Sequence, residues 1–507
     1  MLQVEKSVPT PEKPRPVVES RDMTSGLTRR EWLLILVLSA VQFTHILDFV
    51  IMMPLGPQFK KDLHLSDQWF GFLVSAYAFS AALAGLLAAW FIDRFDRKTA
   101  LMGLYAGFTL GTLCCAAAPN YAFLLAARAL TGAFGGVVAA CILAIVGDAF
   151  PGMRRGRAMG AIMSAFSVAS IVGIPAGLYL ANDLNWRAPF AALAFLGAAV
   201  LVLVGFVLPS MRGHLVRGRQ IVNVWSIFCE PTHLRAYLLM TALVLSSFLI
   251  VPYLASYLVA NTGRTETELP YVYLCGGLAT LVTMTFFGWL SDRFGKLPVF
   301  RCLALFTLVP ILLLTNLPVV HLATTLMIST LFMVTTSGRM VPAIALITAS
   351  SVPGNRGSFL SVNASVQQAG AGLAAALGGL MLGQGPNGEM TGFSSVGVLA
   401  CVATLLSIWL AGHLRPAVGG EDATLVLDLS AEDSSSADGR LAEQPGDGSV
   451  AVRRDLEGSI HLAAGADHLR RHEDILHVAG QSTNDQSSAA LAQLLAQAQQ
   501  RPESDAG

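Results

Sequence analysis

Asp48 places an ionisable group inside a stretch that is otherwise almost wholly apolar. Across residues 31–54, Gln42, His45 and Asp48 recur at steps of three, which on a helix gathers them into one polar sector. An ionisable side chain in an apolar span is costly unless paired or hydrated, so each is a functional candidate. A carboxylate so shielded can load and release a proton, and Asp48 is the first choice for that work. Arg128 lies in a second apolar run, in Arg128-Ala129-Leu130-Thr131-Gly132. A guanidinium does not deprotonate, so it cannot carry the proton, but it can hold a carboxylate ionised until proton or substrate displaces it. Arg339, in Ser337-Gly338-Arg339-Met340-Val341-Pro342, is its rough counterpart late in the chain. With Gln42, His45, Asn363 and Gln367 it makes up a candidate cavity lining. Plainer roles stay open. Asp48 can merely tie two helices together, His45 can be a neutral packing residue, both arginines can bind helix-end carbonyls, and the amides can act as glue between helices.

The elements that must hold these residues follow from composition. The chain of 507 residues is 54% hydrophobic and only 13% charged, with a mean hydropathy of +0.59. That is too apolar for a water-soluble protein. A spanning helix takes about 20 mostly apolar residues. Twelve such runs occur, near 31–54, 68–91, 99–118, 121–147, 158–182, 187–209, 234–260, 268–291, 298–316, 319–346, 358–383 and 391–412. Barrel strands would instead alternate over about ten residues, so the fold is an all-α integral membrane one.

The runs form two copies of one unit. A charged cluster, Asp93-Arg94-Phe95-Asp96-Arg97-Lys98, follows the second run and returns as Asp292-Arg293-Phe294-Gly295-Lys296, 199 residues later. Two pseudo-symmetric six-helix bundles follow, at 31–209 and 234–412, joined by a linker at 210–233. Cations mark one side of the membrane, among them Arg94, Arg97, Arg154, Arg217, Arg293 and Arg356, while the other side has only Lys60, Lys61, Arg187 and Arg264. The cation-rich side is cytoplasmic, and with it the 1–30 segment, the linker and the 413–507 tail.

The net charge of zero hides an asymmetry. Residues 416–507 hold 16 Asp/Glu against 6 Arg, a charge of −10 balanced by +10 in the rest. A membrane body with an acidic tail fits this, and a nucleic-acid binder does not. The tail is expected to be disordered, with a short amphipathic stretch at Ala489–Gln499. Its histidines His461, His468, His472 and His477 fit no compact ligand set, and the seven cysteines show no C-x-x-C spacing. No nucleophile–base motif, phosphate loop or metal set points to an enzyme. No cofactor is expected beyond the proton as coupling ion, and the expected partners are a small-molecule substrate and the lipid bilayer, with the chain a monomer.

These features resemble the major facilitator superfamily over about residues 30–415. The family's loop 2–3 pattern, Gly-x-x-x-Asp-Arg-x-Gly-x-Arg/Lys-Arg/Lys, is matched by Ala89, Asp93, Arg94, Asp96, Arg97 and Lys98, with both glycines replaced. Asp96 would tolerate the left-handed turn of the second glycine. The later copy keeps Gly288, Asp292, Arg293, Gly295 and Lys296. The resemblance implies a cytoplasmic gate in which Asp93 meets the start of the eleventh helix and Arg97 pairs with Asp148, with Arg94, Asp292 and Arg293 completing the two loops. It maps an Arg-x-x-x-Gly motif onto Arg128 and Gly132. Gly173, Pro175 and Gly177 match the helix 5 motif of antiporters, and Asn185-Trp186-Arg187-Ala188-Pro189-Phe190 resembles the turn that follows it in drug-efflux-like and arabinose-efflux-like members. It therefore implies a secondary transporter that exports a small organic compound by proton antiport from a bacterial inner membrane. A solute–proton symporter or facilitator of the same fold is the alternative. A receptor or scaffold signalling through the tail is an alternative of another class.

Overall fold

The computed structural model describes residues 28–88, 92–150, 152–212, 230–351, 356–414, 450–454 and 460–464. The expected segments over 1–27 and 213–229, most of the acidic tail with His468, His472 and His477, and the side chain of Asp93 lie outside the described residues. Twelve membrane-length segments are present: helix 1 (Arg29–Ile51), helix 2 (Asp67–Ala88), helix 3 (Arg97–Ala116), helix 4 (Tyr121–Ala149), helix 5 (Arg154–Asp183), helix 6 (Arg187–Val207), helix 7 (Pro231–Asn261), helix 8 (Leu269–Phe294), helix 9 (Lys296–Thr315), helix 10 (Leu322–Ala349), helix 11 (Arg356–Met381) and helix 12 (Phe393–Gly412). Eleven are long and apolar enough to cross a bilayer by length and composition alone. Helix 11 is the polar exception, because Asn363, Gln367, Gln368 and three serines dilute its apolar run.

Local chemistry sets the ends and the bends. Helix 1 starts at a capping box, with Glu31 N–H donating to Thr28 Oγ1 at 3.2 Å and Thr28 N–H donating to Glu31 Oε2 at 2.7 Å. Two proline sites break the regular ladder. In helix 5, Pro175 offers no N–H, and the preceding Ala169–Gly173 relaxes into a π turn with Ile174 N–H bonded to Ala169 O. In helix 7 the chain leaves the α-helix after Phe248, passes through a 3-10 turn at Val251–Tyr253 around Pro252, and resumes at Leu254–Asn261. The first half repeats this, for after Ile51 and Pro54 a short helix, Gly56–Asp62, takes the place of Leu254–Asn261.

Asp96 departs from the expected left-handed turn. Its φ is −56°, whereas Gly295 in the later copy does take φ +89°. The reason is a tether: Met211 N–H donates to Asp96 Oδ1 at 2.6 Å and Ser210 Oγ donates to Oδ2 at 2.9 Å. Partial burial pushes this carboxyl up, but the bonds from Met211 and Ser210, with the backbone of Lys98 and the charge of Arg212, more than offset it and hold Asp96 below its ordinary value. The tether is thus fully made above the ordinary aspartate range and fails only as pH falls through the lower folded value. Limited proteolysis just beyond helix 6 should find wild type still protected at pH about 4, while Asp96→Asn is cleaved several-fold faster at neutral pH. Loss of wild-type protection already above that pH would contradict the tether.

The two faces of the membrane body differ. At the far face, where helix 1 ends, one continuous apolar core joins both halves and includes Phe59, Phe70, Trp186, Tyr253, Leu258 and Phe393. Phe70 meets Tyr253 edge-on at 6.0 Å, Ser75 Oγ donates to Gly372 O at 2.7 Å, and Asn182 Nδ2 donates to Glu266 O at 3.2 Å. At the face where helix 1 starts the cores are separate. One, with Leu38, Tyr105 and Ile145, is built wholly from the first half. The other, with Leu243, Phe300 and Ile347, is built from the second half apart from Ala78. The halves share one core at the far face, while at the starting face each keeps a core of its own, with helix 2 still touching helix 11 where Gly85 meets Ser365. Two short stretches of the tail are also described, Val450–Arg454 and Ile460–Ala464, paired as an antiparallel hairpin where disorder was expected.

Candidate functional site

The centre of the first half is built by close helix contact. Gly132 and Gly136 of helix 4 face helix 2, where an added Cβ would lie 2.8 Å from Tyr77 Cα and 2.7 Å from Ala81 Cα. Only glycine lets the two helices approach this far. The contact seats the Tyr77 ring against the guanidinium of Arg128, whose Cζ lies 4.5 Å from the ring centroid. From the opposite side helix 1 supplies Asp48. Arg128 Nη1 donates to Asp48 Oδ2 at 2.7 Å and approaches Asp48 O at 3.4 Å. Helix 3 closes the set with Thr112, whose Oγ1 donates to Asp48 Oδ1 at 3.0 Å. Asp48 and Arg128 are both 0% exposed, so their ion pair lies wholly out of water. Arg128 thus reaches both the carboxylate of Asp48 and its backbone carbonyl in the last turn of helix 1.

An ion pair of this kind is a two-state element. While Asp48 is ionised the pair locks helices 1 and 4 together. Protonating the carboxylate removes the charge that holds Arg128, and the remaining guanidinium is then buried without a counter-ion. An arrangement of this kind can link a proton to a conformational change through one bond.

His45 lies one turn earlier on helix 1. Its ring packs on Phe108 at 5.7 Å, and its two buried nitrogens, which lie alongside Gly135, have no hydrogen-bond partner of standard geometry. Gln42, a turn further, is also buried. On helix 11, Asn363 is buried with Oδ1 unpartnered, and Gln367 is half-buried. The structure does not bring Asn363 or Gln367 into contact with the Asp48–Arg128 pair.

The second half also buries an arginine, Arg339 of helix 10, which keeps different company. It is 0% exposed and binds hydroxyls: Nη1 to Thr404 Oγ1 at 3.0 Å, Nη2 to Ser247 Oγ at 3.1 Å, and Nη2 also to Ser246 Oγ. Ser247 stands 199 residues after Asp48, the same offset that relates the two charged loops. Reading for ionisable groups alone passes over Ser246, Ser247 and Thr404, and it passes over Tyr77 and Thr112. The repeat offset was the signal that marked Ser247.

At the starting face Arg97 Nε donates to Asp148 Oδ2 at 3.0 Å. Arg94, Asp292 and Arg293 are exposed, and Arg293 rests on the Trp289 ring at 5.5 Å. The Gly173–Gly177 stripe packs on helix 1, where added Cβ atoms would lie 2.7 Å from Leu47 Cδ2 and from Ile51 Cδ1. This helix 5 segment, with its π turn and Pro175, therefore lies against the helix that carries Asp48.

Comparison with known proteins agrees with this architecture. The Major Facilitator Superfamily model matches residues 38–251 and again 236–430, once for each half. The uncharacterised MFS-type transporter YceJ of Bacillus subtilis (strain 168) is 26% identical over 365 residues, covering 70% of this chain and 91% of that protein. The puromycin resistance protein pur8 of Streptomyces alboniger is 33% identical over 192 residues, 36% of this chain and 38% of that one. Among solved structures, a D-xylose–proton symporter superposes with a TM-score of 0.61 at 15% identity, over 74% of this chain and 97% of the other, a likeness of fold. With two six-helix halves and a family match across both, the chain belongs to the Major Facilitator Superfamily and is a multi-pass membrane transporter.

Proposed function

We propose that this transporter exports a small organic compound by proton antiport, from a bacterial inner membrane with both termini in the cytoplasm. The observation that carries the reading is the fully buried Asp48–Arg128 pair, 2.7 Å apart. A carboxylate paired out of water with one fixed cation is suited to take a proton from one side and give it up to the other. The helix 5 segment against helix 1 favours exchange over uptake, and the similarity to a resistance protein over part of the chain points the same way. The cation-rich loops support a cytoplasmic starting face, the side from which an exporter takes its substrate. Protonation of Asp48 and binding of substrate compete to set the orientation, as two ligands linked through one conformational equilibrium. Asp93, Arg97 and Asp148, with Arg94, Asp292 and Arg293, serve the cytoplasmic gate. Gln42, His45, Arg339, Asn363 and Gln367 serve the substrate path.

Everted vesicles loaded with acid and a pH-sensitive dye test this. Compounds first identified by comparing resistance and metabolite release in cells with and without the gene should discharge the pH gradient only where the protein is present. If every compound the protein moves leaves the gradient intact, the antiport reading is wrong.

A further inference from the structure

Arg339 is a buried cation with no charge partner among the described residues of the second half. Helices 7, 9, 10, 11 and 12 have no Asp or Glu at all, and helix 8 has only Asp292, exposed at its starting-face end. Among the described residues the two buried carboxylates are already engaged, Asp48 by Arg128 and Asp67 by Lys60. The three hydroxyls around Arg339 do not neutralise it. Each donates its one proton to its own helix, Ser247 to Leu243 O at 3.1 Å, Ser246 to the same carbonyl at 3.3 Å, and Thr404 to Ala400 O at 2.9 Å. Their lone pairs thus face the guanidinium, but the full positive charge remains. Nε of Arg339 has no partner, and Thr336, one turn earlier on the same helix face, buries a hydroxyl with none. A lone cation at this depth is strongly disfavoured unless an anion shares the site.

We propose that Arg339, with Ser246, Ser247 and Thr404, is the recognition centre for a small monovalent anion: the carboxylate or sulfonate of an organic substrate, or chloride. This names a substrate class for the transporter and rests on the reading that it moves a small organic compound. The guanidinium offers a planar fork suited to a carboxylate. The break in helix 7 begins two residues after Ser247, so the hydroxyls that hold Arg339 sit beside the point where that helix departs from the α-helical ladder. Each half thereby brings a buried arginine to the same position of its first helix. The first half supplies its own carboxylate and exchanges a proton on it, and the second leaves that position to a serine and takes the anion from outside.

The test uses the purified full-length chain in nanodiscs at fixed ionic strength and without a pH gradient. Benzoate, benzenesulfonate, chloride and neutral benzamide are titrated separately, and thermal stability and binding heat are followed. Wild type should saturate with at least one of the anions and should bind benzamide about tenfold more weakly or not at all. If chloride alone saturates, the source is the inorganic ion. If benzoate or benzenesulfonate saturates, it is the organic group. Ser247→Asp installs an internal carboxylate and should raise the unliganded melting temperature while weakening the anion response by about tenfold. Arg339→Gln should weaken it equally without that stabilisation. Indifference of wild type to all three anions, equal binding of benzoate and benzamide, or an undiminished response in Ser247→Asp would overturn the proposal. Because no gradient is present, a failure here leaves the pH-discharge assay and the antiport reading untouched.

Discussion

Asp48→Asn should abolish substrate movement driven by a pH gradient while substrate-for-substrate exchange survives. The amide keeps the shape of the protonated acid but cannot change charge. It can also keep only one of the two acceptor contacts that Thr112 and Arg128 use. Arg128 is then buried without its counter-ion, and breaking one side of such a pair costs about 3–5 kcal/mol. Asp48→Asn therefore carries two effects, a loss of coupling and a loss of stability, and they are separable. Asp48→Asn combined with Arg128→Gln removes both charges and should recover most of the melting temperature, because no uncompensated charge remains. Coupling should stay absent in the combined variant. If coupling returned together with stability, the pair would be a structural tie and the proton would travel elsewhere. If Asp48→Asn alone still exchanged protons for substrate at the normal ratio, Asp48 would not be the carrier.

The helices were legible because a bilayer demands length and apolarity in one continuous run, and eleven of the twelve satisfy that demand without help. Helix 11 was legible through the twofold repeat, since its amides and serines weaken the apolar signal. The breaks were not legible. Pro175 and Pro252 announce a disturbance, but whether it resolves as a π turn or a 3-10 turn depends on what packs against the freed carbonyls. The left-handed turn expected at Asp96 failed for a tertiary reason, since the backbone of Met211, more than a hundred residues later, recruits its carboxylate. Asp48 and Arg128 stand out in any reading because charge is rare in hydrocarbon. Their support is harder to see: Tyr77 passes for a core aromatic, and Gly132 and Gly136 show their purpose only when helix 2 is in place. Ser247 is the instructive case. Alone it is an unremarked hydroxyl, and it gains meaning only as the residue that stands where the first half has its aspartate.

Gly71→Leu should force the far face open. Helix 2 meets the second half there at backbone distance. A Cβ at Gly71 would lie 2.7 Å from Ala375 O and 3.3 Å from Gly379 Cα, and it would also strike the Tyr253 hydroxyl, which donates to Ala375 O. A carbonyl cannot rotate aside as a long side chain does, so the helices themselves must separate. Overpacking a fitted contact costs about 1–3 kcal/mol, and a shift of about 1.4 kcal/mol changes a conformational equilibrium tenfold. The conformation joined at the far face should therefore lose its dominance, and net transport should fall by about tenfold for want of closure at that face. A cysteine in place of Ser75, which is 3% exposed and bonded to Gly372 O, reports the change. An impermeant thiol reagent applied from the far face should label it slowly in the wild-type background and about tenfold faster with Gly71→Leu. Gly160→Leu is the matched control, because nothing lies within 4 Å of a Cβ there. It should leave Ser75→Cys as protected as before. Equal labelling in the Gly71→Leu and Gly160→Leu backgrounds would mean that the helix 2 seam yields without parting, and that the apolar core around Phe59, Trp186 and Phe393 holds the far face closed on its own.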